Sequence, residues 1–169
     1  MSKDLKYLWA PWRMGYIQTP KNEFGPCIFC DKAKLGDDDE NLVVHRGEYV
    51  YVLMNLYPYS NGHIMVSPYK HTSDTNDLSP ICNEEIMRLA NESMNILRKK
   101  MNAEGFNFGA NLGKAGGAGI EDHLHYHIVP RWNGDTNFMP VVGTTKVMVE
   151  GLNETWAILK SDFDEIKDI

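Results

Sequence analysis

The sequence predicts an α+β fold: a five-stranded antiparallel sheet with one long helix and a short N-terminal helix, plus a C-terminal strand-and-helix extension. Two patterns point there. Five short runs, at residues 41–46, 49–55, 62–67, 106–112 and 123–130, are rich in β-branched and aromatic residues and bounded by turn residues. Between the third and fourth, Ser79-Pro80 offers a cap and a proline at the first helical position, and Ile86, Ala90, Met94, Leu97 and Met101 then keep helical spacing. Five strands and one long helix make an α+β layer. A chain of 169 residues with 43% hydrophobic and 11% aromatic content suits one domain, organised as an arm (1–26), a core (27–132) and an extension (133–169).

In chain order, residues 1–26 hold Trp9, Trp12 and Tyr16 without sustained periodicity, an irregular arm expected to pack its aromatics on the domain or on a partner subunit. Residues 27–35 read as a short helix ended by Gly36, and Asp37-Asp38-Asp39-Glu40 as a solvated loop. The first two strands form a hairpin around Gly47, and Pro58 with Asn61-Gly62 marks the turn into the third. On the long helix, Glu84 and Glu85 at the start and Arg98, Lys99 and Lys100 at the end complement the macrodipole, with Gly105 as terminator. A weaker strand is expected at 145–150. Then Trp156, Leu159, Phe163 and Ile166 keep helical spacing after Asn153, a cap.

Composition narrows the function classes. A net charge of −6 and a pI near 5.5 disfavour sequence-independent nucleic-acid binding, which needs a basic footprint. No charged-then-apolar leader opens the sequence and no apolar run nears the ~18 residues of a bilayer span, so a cytoplasmic protein is expected, with no membrane partner. Three cysteines are too few for a disulfide scaffold and fit a reducing compartment.

The stretch that carries chemistry is Glu121–Trp132, where His123, His125 and His127 alternate with Leu124, Tyr126 and Ile128. On a strand the three imidazoles share one face and the apolar residues the other. Polar rings on such a face must be hydrogen-bonded, metal-bound or open to a cleft, because unpaired burial costs about 1–3 kcal/mol each. A Gly-rich loop, residues 111–120, comes just before, and its backbone can approach a phosphate closely. A histidine nitrogen near its ordinary pKa of about 6.5 is a competent nucleophile at neutral pH.

His-Leu-His-Tyr-His-Ile-Val resembles the signature of the histidine-triad (HIT) family of nucleotide hydrolases and transferases. Asn55, the segment Gly62-His63-Ile64-Met65-Val66-Ser67-Pro68, Asn111 and the loop fall in the family's order, so the likeness covers about residues 27–132. The aromatic opening and Pro130-Arg131-Trp132 are similar to the branch with diadenosine tetraphosphate phosphorylase-like members. The resemblance implies a nucleotidyl-histidine mechanism with His125 as nucleophile, His127 orienting or polarising the site and His63 adding a hydrogen bond. A satisfied core histidine is the alternative for His127 and His63. It also implies nucleotide contacts from Phe29, Asn55 and Asn111 and from the backbone of Gly117, Ala118 and Gly119, on a purine nucleotide or dinucleoside polyphosphate. Family members often carry Gln or Ser near the end of this loop, whereas this chain has Ala118-Gly119, which leaves the leaving group's side-chain donor open. Asn55 also reads as a turn residue.

Cys27-x-x-Cys30 has zinc-ligand spacing, and His71 and His123 complete a Cys₂His₂ set similar to that of zinc-containing triad proteins. Two reduced, buried thiols are the alternative. Four protein ligands would close the site, so zinc would tie the N-terminal segment to the sheet, and no catalytic cofactor is required. Two other functions stay open: a non-catalytic nucleotide sensor, and a zinc hydrolase with metal-bound water. Family resemblance further implies a homodimer built on the long helix and the strand at 106–112, whose unpaired edge supplies a motive.

Overall fold

The computed structural model describes residues 27–135 and 150–166. Helix α1 (Ile28–Lys34) leads into strands β1 (Val43–Arg46), β2 (Val50–Met54) and β3 (Ile64–Pro68). Helix α2 (Pro80–Met101), strands β4 (Gly105–Ala110) and β5 (Tyr126–Arg131) and helix α3 (Leu152–Phe163) follow. The strands make one antiparallel sheet in the order β1-β2-β3-β5-β4. The expected arm at 1–26 lies outside the described residues, as does the strand at 145–150 except for Glu150, a bend. No helix among the described residues is long and apolar enough to cross a membrane.

Strand alternation gives the sheet two different faces. Val50, Val52 and Met54 of β2 and Ile64 and Val66 of β3 point to one side, where they pack with Ile86, Ala90 and Leu97 of α2 and with Leu159 and Phe163 of α3. Tyr51, Leu53 and Met65 point the other way and pack with Cys27 and Phe29 around α1. Among the described residues two helices therefore pack on one face and the short α1 on the other, which holds the candidate site.

The helix ends depart from the sequence reading in instructive ways. Glu84 and Glu85 lie beyond the first turn of α2. Glu85 is buried, and its carboxylate accepts from the N–H groups of Glu48 (3.0 Å), Tyr49 (2.6 Å) and Val50 (3.1 Å) and from Arg88 (3.2 Å). It closes the β1–β2 turn instead of balancing a dipole. A Cβ at Gly47 would come within 2.5 Å of this tethered carboxylate, so the turn has no room for a side chain. Helix α2 ends at Asn102, in the left-handed conformation (φ 52°, ψ 39°) that asparagine tolerates, and Gly105 instead opens β4. Helix α3 is capped by Gly151, so Asn153 falls inside its first turn.

Arg46 fastens α1 to the sheet. The last carbonyls of a helix lack partners within it. Here the guanidinium donates to those of Lys32 (3.1 Å), Ala33 (2.8 Å) and Leu35 (2.6 Å) and pairs with Asp38 at 2.7 Å, drawing one residue out of the acidic loop expected to be solvated. On the same strand, the Trp156 indole N–H donates to the Val43 carbonyl (2.9 Å), so α3 covers the β1 edge. The β4 edge carries no further strand among the described residues, and Asn107, Phe108 and Gly109 on it are exposed.

Helix α3 is held to the end of α2 by Asp162, which pairs with Lys100 (2.5 Å) and Lys99. These ammonium groups hold its carboxyl at about 2, below the ordinary 3.8. A carboxyl depressed in the folded state adds stability above its unfolded pKa and loses it as the pH falls through the folded one. Thermal melts from pH 6 to pH 2 should therefore show Asp162→Asn less stable than the parent at pH 6 and converging with it near pH 2. Parallel curves would show that the ion pairs contribute nothing.

Candidate functional site

Strand β5 places His127 on the α1 face of the sheet, opposite Met65 of β3 and Gly109 of β4. The strand begins at Tyr126, so the expected strand at 123–130 is shorter, and His123 and His125 precede it. Leu124 donates its N–H to the Thr72 carbonyl (2.7 Å), which pins this approach to the segment after β3. The three imidazoles consequently divide. His123 joins the cysteines, while His125 and His127 line a cleft with ring centroids 5.0 Å apart and planes at 79°.

Hydrogen bonding sets which nitrogen of each cleft histidine carries the proton. His125 Nδ1 lies 2.8 Å from the His123 carbonyl, which can only accept, so Nδ1 bears the proton and Nε2 keeps its lone pair. Burial outweighs that hydrogen bond and pushes the His125 pKa down, which keeps the ring neutral at physiological pH. His63, buried just before β3, accepts the Tyr59 N–H at Nδ1 (3.0 Å) and so donates from Nε2 to His127 Nδ1 (3.0 Å). His127 is then protonated on Nε2. One cleft histidine offers a lone pair and the other an N–H. His63 does not line the cleft and acts through His127.

Besides the two histidines, the cleft is lined by Phe29, Leu53, Asn55, Asn111, Gly119 and Ile120. Phe29 stacks on His125 (4.6 Å, 27°) and tilts against His123 (5.2 Å). Asn55 is both a cleft residue and a turn residue, since its Oδ1 accepts the Tyr57 N–H (2.9 Å). Gly117 and Ala118 do not line the cleft. Their N–H groups bond inside the loop, to the carbonyls of Lys114 (3.1 Å) and Gly113 (3.3 Å), so of the three expected backbone donors only Gly119 faces it. One contributor is invisible to motif reading: the fully buried Tyr51 hydroxyl donates to the Phe29 carbonyl (2.8 Å) and sets the ring that backs His125. Its only sequence signal is a phenol in an otherwise apolar strand.

Beside the cleft, Cys27, Cys30, His71 and His123 place one ligand atom each within 4.8 Å of one another. His123 Nε2–H donates to the Pro68 carbonyl (2.9 Å), leaving the Nδ1 lone pair toward Cys27 Sγ (3.2 Å), Cys30 Sγ (3.5 Å) and His71 Nδ1 (3.2 Å). A tetrahedral zinc with bonds near 2.0–2.3 Å has neighbouring ligand atoms about 3.3–3.8 Å apart, so this donor set is close to the required spacing. Burial, and then the neighbouring Cys27, raise the Cys30 pKa by more than the Lys34 ammonium lowers it.

The antiparallel sheet thus carries a histidine row divided between a cysteine cluster and an apolar cleft beside a Gly-rich loop. A HIT domain model matches residues 37–134, and the chain belongs to that family of nucleotide hydrolases and transferases. It is 36% identical over 166 residues to an AP-4-A phosphorylase of Mycobacterium tuberculosis, covering 95% of this chain and 85% of that protein. A Zn-bound histidine triad protein from Mycobacterium smegmatis shares the fold, with TM-score 0.65, 23% identity and coverage of 83% and 94% of the two chains. So does the Plasmodium falciparum diadenosine triphosphate hydrolase, with TM-score 0.60, 27% identity and coverage of 73% and 77%.

Proposed function

We propose that this protein cleaves a dinucleoside polyphosphate through a nucleotidyl-histidine intermediate, with phosphate or water as the second acceptor. The observation that supports this most is the pairing of a lone pair on His125 Nε2 with an N–H on His127 in one cleft. His125 Nε2 attacks the α-phosphorus, the new N–P bond replaces the bridging P–O bond, and the shortened nucleoside polyphosphate departs. The imidazole becomes cationic in the intermediate, and the His123 carbonyl, already accepting from Nδ1, stabilises that charge. His127 Nε2–H and the Gly119 backbone, which line the same cleft, would bind the non-bridging oxygens, and Asn55 and Asn111 would hold the ribose and phosphate ends. Attack by phosphate or water on phosphorus then breaks the N–P bond and restores the lone pair. Ala118 and Gly119 have no side-chain proton to give. A polyphosphate that leaves as an anion suits this loop better than an amine, and favours anhydride over phosphoramidate substrates.

Cys27, Cys30, His71 and His123 would hold zinc. With four protein ligands the metal would supply a structural tie between α1 and the β5 approach. We further place a homodimer contact at β4 and α2, because α3 covers the opposite sheet edge while Phe108 on β4 and Ile81 and Met87 on α2 are exposed apolar residues. Light scattering at micromolar concentration should give twice the chain mass of 19.3 kDa. A monomer mass would refute that contact.

Diadenosine tetraphosphate incubated with the protein, with and without inorganic phosphate, tests the activity. ATP with ADP identifies phosphate as acceptor, and ATP with AMP identifies water. Tight nucleotide binding without cleavage would instead support a sensing role.

A further inference from the structure

We propose that Lys32 makes the cleft selective for nucleotides with a 6-oxopurine base, guanine or hypoxanthine, over adenine. This rests on the function proposed above, which sets the phosphates at His125 and His127 and leaves the apolar part of the cleft to the base. That part is walled by Ile28, Phe29, Leu53 and Leu56, and among the described lining residues Lys32 is the one lysine, arginine or carboxylate side chain. It lies one turn beyond Phe29 on α1, about 4.5 Å further along the helix axis from the ring stacked on His125. The side chain is partly buried, and it forms no ion pair among the described residues. Its ammonium donates to the Asn41 carbonyl (2.7 Å), a bond that takes one of three N–H groups. Burial lowers its pKa, and among the described residues no carboxylate offsets that cost.

An ammonium offers donors and no acceptor. Guanine and hypoxanthine present O6 and N7 side by side, two acceptors that one ammonium can serve together. Adenine presents N7 beside the N6 amino group, whose hydrogens repel a cation. Lysine in an otherwise apolar slot therefore separates the two kinds of base by charge as well as by hydrogen bonding.

Isothermal titration of the full chain with GMP, IMP and AMP tests this. The parent should bind GMP and IMP about tenfold more tightly than AMP. Lys32→Met, which keeps the apolar stem, should bring all three within about twofold by weakening GMP and IMP and not AMP, and Lys32→Arg should retain the preference. Equal affinities in the parent would overturn the proposal. So would an equal loss for all three nucleotides in Lys32→Met, which would give the ammonium to the phosphates or to the fold. A parent protein that bound none of the three would overturn the proposed function itself, and this selectivity with it.

Discussion

Replacing His125 with alanine is expected to lower kcat by about four orders of magnitude or more while leaving nucleotide affinity within a few-fold. The asymmetry follows from the geometry. Leu53, Leu56 and Ile120 wall the cleft without stacking on His125, whereas no other cleft side chain among the described residues holds a nitrogen whose lone pair is kept available by a carbonyl on its opposite nitrogen. His127 cannot substitute, because its Nδ1 lone pair is occupied by His63. Steady-state kinetics beside equilibrium binding of a non-hydrolysable analogue would separate the two quantities. A variant with near-parental kcat would remove His125 from the mechanism.

The second large effect is expected at the cysteine cluster. Freshly purified protein should carry about one zinc per chain, and Cys30→Ala should lose it, with a fall in melting temperature of about 10 °C or more. Structural metal binding is coupled to folding, and here the four donors join α1, the segment after β3 and the approach to β5. Because Phe29 lies between Cys27 and Cys30 and stacks on His125, turnover should fall as well. Elemental analysis without zinc, or a Cys30→Ala melt matching the parent, would show two reduced thiols with no metal role.

Much of this architecture was legible in the sequence because its signals are local. Periodicity located the five strands and α2, and the Cys-x-x-Cys spacing with His71 and His123 matched the cluster that the fold assembles. What local pattern missed was settled by hydrogen bonds that only the folded chain assembles. Glu85 read as a dipole charge, yet 35 or more residues away three backbone N–H groups claim it. The alternation His-x-His-x-His implied one face, and Leu124, Tyr126 and Ile128 do pack on the other, but it did not show that the strand itself starts only at Tyr126. Gly117 and Ala118 looked like phosphate donors from loop composition. Their amides close the loop's own turns, a choice that depends on the positive φ of Gly113 and Gly117. The protonation pattern of the cleft was likewise beyond reading, since it rests on the backbone N–H of Tyr59 at His63 and the backbone carbonyl of His123 at His125.

The covalent step is tested most directly by the stereochemistry at the transferred phosphorus. A substrate made chiral there by sulfur and oxygen isotopes would be turned over by the parent protein and the product configuration determined. Attack by His125 followed by attack of the acceptor inverts phosphorus twice, so retention is the predicted result. Inversion would mean a single direct displacement by phosphate or water, and would contradict a nucleotidyl-histidine intermediate.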